Sequence, residues 1–560
     1  MWNPDEADHA TAARELLLEN RWAIPTIAGE TFAEKPPLQV WGIVISAKLR
    51  GTEVDEFDAR VPSAIGNVMI ILAAFLLGKR SGGIRTGTLA ALVAATCGEV
   101  LLRVRWCQVD SLFSGFFALA AVGAHSFITN IKGANPKFII ALATGAALGG
   151  AILTKGPLAP ALLVAIVAAD IVMTREHRRA WFGRAGVWLC VAFAVAAAVA
   201  LPWYLVLASQ DSGGFGRSFI YENIQRFSKS QDHHNPFYYY IAETVWTVFA
   251  PASLLFIPAF FFAFETTGKT SAARVFVRDS SPVRFSLASI AGGVLLLSAA
   301  SSKQGKYLLP LAPFFAVVVA DFARHVDAFG KKWQRIWITV VLSIIALVFV
   351  IIALLALAAS WFGPRADDAF ASLIAAFGVD NAPVFPIITV LWPLLFAGFG
   401  SFALLAAGIH TRASFRLAWL LGPLTLAILF IGAFTLPELN ISKSPKEVVN
   451  LAMQRLAELE AAGKSPRYAV YFPDRPPEKP VDSWTGTSPF VYYAGTAYRR
   501  PLVLRGRAAL EAALSDLRPL ILVVRADYHT RLPKPLKDKL LVRFQKPVGS
   551  RKLAVLESTP

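Results

Sequence analysis

Long apolar runs limit what this chain can fold into. A helix that crosses a bilayer needs about 20 apolar residues, and twelve runs approach or reach that length. Hydrophobic residues make up 55% of the 560 residues and charged residues 17%, whereas soluble domains carry about 25% charge. A water-soluble globule is therefore excluded, and we predict an α-helical polytopic membrane protein. The predicted spans lie near 62–78, 86–102, 109–127, 137–153, 157–173, 185–208, 241–263, 285–300, 307–322, 336–361, 385–408 and 416–436.

The basic residues orient these predicted spans. One set of alternate loops carries about twice as many Lys and Arg as the other set, and such loops mark the cytoplasmic side. With an even number of spans, the N-terminal 36 residues and the tail then both lie on the outer side. The net charge is +17. Because basic loops account for this charge in a membrane protein, we do not expect nucleic acid as a partner.

Three regions follow from this topology. Residues 1–60 are predicted to be a first outer loop with interfacial helices, because the apolar run 38–47 is too short to cross a bilayer. Residues 61–437 form the transmembrane domain, and residues 438–560 form a small α/β domain on the outer side. The polar N-terminal segment has no preceding span or signal peptide to export it. We expect an upstream start or a truncated gene model, with unaided translocation as the alternative.

The polar tail alternates helical and strand patterns. Residues 445–463 have helical periodicity, whereas 467–472, 489–494 and 519–526 resemble buried strands. Basic residues outnumber acidic residues in this tail. That charge fits contact with anionic lipid headgroups or an anionic acceptor, and it fits a plain solvated surface equally well.

Charged and polar residues gather at the outer ends of the predicted spans. Charge at membrane depth is costly, so residues that recur there are candidates for function. Taken singly, each also has a structural explanation, such as a helix cap at Asp5 or an interfacial anchor at Lys155. Their convergence on one side predicts a single pocket. The residues are Asp5, Glu6, Glu34, Lys35, Arg103, Arg105, Asp110, Lys155, His233, His234, Lys303, Lys306 and Tyr307.

Carboxylates beside lysines suit a reaction in which an acceptor loses a proton and an anionic leaving group is neutralised. Asp5 or Glu6 would act as the general base. A lysine would stabilise a departing phosphate electrostatically. The lysines placed for this role are Lys35, Lys155, Lys303 and Lys306.

Two adjacent histidines, His233 and His234, raise the question of a metal. Together with Glu34 they would supply only part of the ligand set that a divalent metal needs. A hydrogen-bonded loop beside the aromatic run PFYYY explains them as well. We therefore predict no required cofactor, with a divalent metal held by Glu34 and His233 or His234 as the alternative.

Several sequence blocks occur in a characteristic order. The segment PDEADHATAARELLLENRWAIPTIAGETFAEKPPLQVW is followed by ARVPSAI, QVDSLF, LTKGPLA, PWYLV, ENIQRF, HHNPFYYY and KYLLPLAP. In these blocks the chain resembles the bacterial polyprenyl-phosphate sugar transferases of the GT-C type, in the group similar to 4-amino-4-deoxy-L-arabinose lipid A transferase and related to the protein O-mannosyltransferases. The resemblance covers roughly residues 2–320. Members of that group carry one more span before the Pro-Asp-Glu block.

The resemblance implies an enzyme that moves a sugar from an undecaprenyl-phosphate carrier to a lipid, glycan or protein acceptor outside the cytoplasmic membrane. It places the family's acidic pair on Asp5 and Glu6. A lysine near the donor phosphate falls on Lys35, next to Glu34. Other family positions fall on Asp110, Lys155 and Tyr307, and a proposed metal-binding histidine falls on His233 or His234.

We therefore predict an inverting, lipid-linked glycosyltransferase of the bacterial inner membrane, acting as a monomer with its site and C-terminal domain in the periplasm. The predicted catalytic residues are Asp5, Glu6, Glu34 and Asp110. The predicted donor-phosphate ligands are Lys35, Arg105, Lys155, Lys303, Lys306 and Tyr307. The alternatives are a transporter or flippase that binds the lipid carrier, and an inactive lipid-binding relative. A transporter should have midplane charges and inverted repeats, which the sequence does not clearly contain.

Overall fold

A computed structural model describes thirteen parts of the chain. These are residues 4–20, 22–27, 30–32, 35–129, 134–210, 235–264, 281–362, 398, 412–422, 444–472, 492–493, 502–548 and 551–559. Helices dominate up to residue 362. A five-stranded sheet with flanking helices follows in the tail.

The N-terminal half is a succession of helices. They are α1 (Pro4–Glu19), α2 (Leu38–Arg50), α3 (Glu56–Ala95), α4 (Gly98–Arg103), α5 (Val109–Ile128), α6 (Ala134–Lys155), α7 (Leu158–Met173), α8 (Arg175–Trp181) and α9 (Arg184–Gln210). Further along come a π-helical turn at Tyr240–Thr244, helices Val245–Val248, Ser253–Phe264 and Ser281–Ala299, a 3-10 segment at Gly305–Leu311, and helices Ala312–Phe329 and Lys332–Phe362.

Six helices in the described residues are long and apolar enough to cross a membrane. One of them, α3, is broken at Gly82 and Gly83, where the backbone leaves helical geometry. A Cβ atom on Gly78 would lie 2.8 Å from that of Ala90, so the two halves of α3 pack against each other. This agrees with the two predicted spans at 62–78 and 86–102.

Two predicted spans are interrupted, which corrects the sequence interpretation. The run 86–102 stops at Ala95 and resumes at Gly98, and the amide of Gly98 donates to the carbonyl of Ala250, 3.0 Å away. The run 241–263 is split before Ser253, where Pro251 has no amide proton for the helical ladder. Hydropathy alone does not register such breaks. Of the predicted span 385–408 the described residues include only 398, and of the span 416–436 they include only 416–422.

The N-terminal segment folds over one end of the helices. After α1, the short strands β1 (Thr26–Ile27) and β2 (Glu30–Thr31) pair antiparallel. Helix α2 buries Val40 and Val44 while Ile45 and Leu49 are exposed. A short helix with one buried and one exposed apolar face fits the predicted interfacial helix.

The tail forms a mixed sheet in the order β4-β3-β5-β7-β6. Its strands are β3 (Arg467–Phe472), β4 (Leu502–Arg505), β5 (Leu520–Arg525), β6 (Leu540–Val548) and β7 (Arg551–Ser558). Strands β4, β3 and β5 run parallel, and β7 and β6 are antiparallel additions. The predicted helix at 445–463 matches the helix Lys446–Ala461, and the predicted strands at 467–472 and 519–526 match β3 and β5.

The predicted strand at 489–494 is wrong at its two described residues. Tyr492 and Tyr493 are helical. Their hydroxyls donate to the carbonyl of Val54 at 3.1 Å and to Glu56 Oε1 at 3.2 Å. Contact with the N-terminal segment, rather than a place in the sheet, therefore explains why both aromatic rings are buried.

The N-terminal helices and the tail share one hydrophobic cluster. Arg14 adds a polar contact, because its guanidinium donates to the carbonyls of Tyr492 and Val54. The C-terminal domain therefore packs directly on the segment that carries Glu6. Members of the cluster include Ala7, Ala10, Leu16, Val40, Val44, Val449, Leu456, Tyr468, Val523 and Val555.

A chain of polar contacts ties several helices together at the far end of α5. Arg80 lies 3.1 Å from His125 Nδ1, and His125 Nε2 lies 3.2 Å from the Ser281 hydroxyl. That hydroxyl is 2.9 Å from His177 Nε2, and His177 Nδ1 is 2.8 Å from Asp170 Oδ1. Because a 20-residue helix is about 30 Å long, this chain fixes the helix ends remote from Asp110.

Candidate active site

Asp110 lies in the first turn of α5, at the meeting point of three segments. Gln108, two residues before Asp110, is fixed to α3, because the Ser63 hydroxyl donates to the Gln108 carbonyl at 3.1 Å. Further along, Gly66 and Gly115 let α3 and α5 approach closely; a Cβ on Gly66 would lie 2.3 Å from the Ser111 carbonyl oxygen. Small residues permit such close helix crossings, and this crossing sets the position of Asp110.

Lys155 reaches Asp110 from the end of α6. Gly156 adopts a positive φ of 75°, a conformation that ends helices and favours glycine. The Lys155 ammonium forms an ion pair with Asp110 Oδ1. The same ammonium lies 4.4 Å from the centre of the Tyr307 ring and 5.6 Å from that of Phe113.

Lys306 approaches Asp110 from the opposite side, 3.6 Å from Oδ2. It precedes Tyr307 in the 3-10 segment Gly305–Leu311. Two ammonium groups thus share one carboxylate in a site where each side chain is at most 16% exposed. The cluster of Asp110, Lys155, Lys306 and Tyr307 is attractive to an anion, because Coulomb interactions strengthen as water is excluded.

Glu6 occupies a neighbouring position on α1. Its side chain is fully buried, and Oε1 accepts from the amide of Cys107 at 3.1 Å. The same oxygen lies 3.5 Å from Arg60 Nε. Since Cys107 lies three residues before Asp110, Glu6 and the Asp110 cluster are connected through one short loop.

Lys303 is turned into the protein. Its ammonium donates to the backbone carbonyls of Asn235 at 2.9 Å and Ala300 at 2.6 Å. The Asn235 side chain returns a hydrogen bond to the Lys303 carbonyl at 3.1 Å. These contacts tie the loop before Tyr307 to the residues that precede the π-helical turn Tyr240–Thr244.

The loop between α4 and α5 carries two arginines with different surroundings. Arg103 forms an ion pair with Glu99 at 2.6 Å and donates to the Gln108 side chain. It also stacks over Trp106, 4.6 Å from the ring centre. Arg105 is half-buried. Burial and the charge of Arg60 both lower the pKa of Arg105.

Several predicted site residues fall outside the described part of the chain. These are the side chain of Asp5 and the residues Glu34, His233 and His234. The described residues contain no group of three His, Cys, Asp or Glu side chains that could hold a metal. Lys35 is half-buried just before α2. The structure thus brings together Asp110, Lys155, Lys306 and Tyr307, and places Glu6 beside Arg60.

Arg60 is the residue that the sequence analysis did not single out. It belongs to the block ARVPSAI, and it lies one turn into α3. A basic residue at the start of a span resembles an ordinary interfacial anchor. Only its contact with Glu6, 54 positions away, separates it from such anchors.

Comparisons with known proteins agree with the fold and the blocks. The family model described as dolichyl-phosphate-mannose-protein mannosyltransferase matches residues 34–204. The chain is 30% identical over 261 residues to "Undecaprenyl phosphate-alpha-4-amino-4-deoxy-L-arabinose arabinosyl transferase 1" of Pseudomonas fluorescens, a match covering 45% of this chain and 46% of that protein. It is 26% identical over 466 residues to the corresponding transferase of Serratia proteamaculans, covering 81% and 76%. The chain is thus matched over less than half the length of the Pseudomonas relative.

A solved structure has the same fold. The crystal structure of ArnT from Cupriavidus metallidurans bound to undecaprenyl phosphate superposes with a TM-score of 0.67 at 16% identity, covering 99% of this chain and 94% of that one. The predicted fold class is therefore confirmed. The relatives support the predicted enzyme class, a GT-C glycosyltransferase, and together with the apolar helices they indicate a multi-pass inner-membrane protein. The chain thus shares the fold of the ArnT structure and is similar in sequence to the aminoarabinose transferases and, over residues 34–204, to the protein mannosyltransferase family.

Proposed function

We propose that the protein transfers a sugar from an undecaprenyl-phosphate-linked donor to an acceptor on the outer side of the cytoplasmic membrane. The observation that carries this proposal is the position of Asp110 between Lys155 and Lys306. Three segments distant in sequence supply these groups at the ends of apolar helices. A lipid-linked phosphate would reach such a site with its tail still in the bilayer.

The cation cluster suits the leaving group of this reaction. When the acceptor oxygen attacks the anomeric carbon, the bond between that carbon and the phosphate oxygen breaks. Negative charge then grows on the lipid phosphate. Preorganised positive groups such as Lys155 and Lys306 stabilise that charge without reorganisation of water.

The acidic residues of α1 supply the other half of the reaction. If the acceptor is a hydroxyl, its proton passes to the carboxylate of Asp5, which lies one residue before the buried Glu6. If the acceptor is a phosphate, it is already ionised near neutral pH. No base is then needed, and the carboxylate orients the sugar. Neither route uses a metal, and we propose that the enzyme acts as a monomer.

The relatives suggest the first donor to test. Their names specify 4-amino-4-deoxy-L-arabinose on undecaprenyl phosphate. Vesicles made from bacterial membrane lipids, which provide lipid acceptors, and containing the full-length protein would be supplied with this donor carrying a labelled sugar. We expect wild type to release the label, and we expect Asp5→Asn, Lys35→Ala and Lys155→Met to lose most of that release.

A matched lysine provides the control. Lys332 is exposed at the start of the helix Lys332–Phe362, on the side predicted to be cytoplasmic. The variant Lys332→Met should release label at the wild-type rate. Undiminished release by Asp5→Asn and Lys35→Ala would rule out the roles assigned to those residues. No release by wild type, with lipid-linked donor present, would count against the transferase.

A further inference from the structure

Glu6 contacts both Arg60 and the loop that carries Arg105. Arg60 Nε is 3.5 Å from Glu6 Oε1, and the amide of Cys107 donates to that same oxygen at 3.1 Å. Arg105 lies two residues before Cys107. Glu6 therefore joins Arg60 to the loop that carries Arg105, and burial together with the charge of Arg60 lowers the pKa of Arg105.

The charges in this group do not balance among the described residues. Glu6 is the only described carboxylate recorded within ion-pair distance of Arg60, and its contact is long. Arg105 has no recorded ion pair or hydrogen bond with a described residue. The adjacent Arg103, by contrast, is satisfied by Glu99 and Gln108. Within the described part of the chain, Glu6 is therefore the one carboxylate that faces the two charges of Arg60 and Arg105.

Such an arrangement is unfavourable without an anion. Arginine does not lose its proton in proteins, and a partly buried charge without a partner is costly. Repulsion between the two guanidinium groups adds to that cost. Phosphate relieves both, because the planar fork of a guanidinium donates two parallel hydrogen bonds to it.

We propose that Arg60 and Arg105 form a second anion site, which binds a phosphate group of the acceptor. This assignment rests on the proposed function, in which Lys155, Lys306 and Tyr307 take the phosphate of the donor. Glu6 lies between the two sites: it contacts Arg60 directly and reaches the loop that leads to Asp110. The acceptor anion would thus sit next to the acidic end of α1.

The same chemistry could come from the donor phosphate, so the test must separate the two sources. Full-length protein in nanodiscs of uncharged lipid is titrated with inorganic phosphate, and the melting temperature is recorded with and without saturating undecaprenyl phosphate. A ligand that binds only the folded state raises the melting temperature as its concentration exceeds its dissociation constant. We expect phosphate to raise the melting temperature of wild type in both conditions.

The variants Arg60→Gln and Arg105→Gln should each weaken the phosphate response at least tenfold in apparent dissociation constant. Arg105→Lys keeps the charge and removes the fork, so it should weaken the response less and serves if a glutamine variant does not fold. Arg518→Gln, at an exposed arginine of the tail, should respond like wild type.

Two results would overturn the proposal. One is a wild-type response that disappears once undecaprenyl phosphate is saturating, because phosphate would then be binding only at the donor site. The other is an undiminished response in Arg60→Gln and Arg105→Gln. This assay needs no sugar transfer. If wild type transfers no sugar but keeps the phosphate response, the proposed transferase function fails and the anion site stands. If wild type transfers sugar but shows no phosphate response, only the proposed anion site fails.

Discussion

The ammonium of Lys155 lies over the ring of Tyr307, 4.4 Å from its centre. The two residues come from the end of α6 and from the 3-10 segment, 152 positions apart in the sequence. The aromatic face attracts the cation, while the carboxylate of Asp110 pairs with it. Tyr307 therefore fixes the direction of the lysine that we assign to the donor phosphate.

Replacing the ring should separate this effect from that of the phenol group. Tyr307→Phe keeps the aromatic face, and Tyr307→Leu removes it. A cation–π contact is worth about 0.5–2 kcal/mol, so we expect kcat/KM for the donor to be about 2- to 30-fold lower in Tyr307→Leu than in Tyr307→Phe. Initial rates of sugar release measure the difference. Equal rates in the two variants would mean that the ring does not position Lys155.

The ion pair between Asp110 and Lys155 should behave as a coupled unit. Asp110→Asn leaves two ammonium groups with a neutral neighbour, and Lys155→Met removes one of them. Residues in direct contact couple by about 0.5–3 kcal/mol, so the double variant should lose less stability than the two single losses combined. Thermal unfolding of all four proteins gives the cycle, and sugar release should stay low in every variant. Strictly additive losses would contradict a direct ion pair.

Lys303 and Lys306 should have opposite effects although they lie three residues apart. Lys303 donates to two backbone carbonyls, and hydrogen bonds to charged groups contribute about 1.5–3 kcal/mol. Lys303→Met should therefore lower the free energy of unfolding by that amount, with KM for the donor changed less than twofold. Lys306→Met should raise KM and leave stability nearly unchanged. A raised KM for the donor with unchanged stability in Lys303→Met would show that Lys303 binds the donor phosphate.

The sequence predicted which residues meet because a membrane reduces the problem to two sides. Once the spans alternate, the residues at their outer ends share one plane, and Asp110, Lys155, Lys306 and Tyr307 were found together for that reason. The sequence does not predict the direction in which each of these side chains points. Lys303 points to Asn235, 68 positions away, and no local pattern in SKQGKYLLP records that contact.

The tail illustrates the same limit for strands. Strands β3 and β5 are continuous apolar runs, as parallel strands buried on both faces usually are, and the sequence indicated both. Strands β6 and β7 include charged residues, in LLVRFQKPV and RKLAVLES, and they were missed. Strand β7 pairs with β5, and β6 pairs with β7, so both depend on a sheet that is already in place.

Glu557 on β7 links the outer strands of this sheet to the helix Lys446–Ala461. It accepts from Arg455 Nε at 2.9 Å and from Arg543 Nε at 2.6 Å. Burial alone would raise the pKa of Glu557, but the hydrogen bonds from the two arginines outweigh burial and lower it below its ordinary value of 4.5. The carboxylate therefore binds its proton less readily in the folded domain than in the unfolded chain.

A lowered pKa predicts the direction of the pH dependence. The stability that Glu557 contributes is fully present above about pH 4.5, the value of the unfolded chain, and is lost as the pH falls through the lower pKa of the folded state. Glu557→Gln should cost about 1–2 kcal/mol at pH 7, and its melting temperature should approach that of wild type as the pH is lowered below 4.5. Glu511→Gln, at an exposed position of the same domain, should follow wild type throughout. A difference between Glu557→Gln and wild type that stays constant from pH 7 to pH 3 would show that the arginines are not held through the ionised carboxylate.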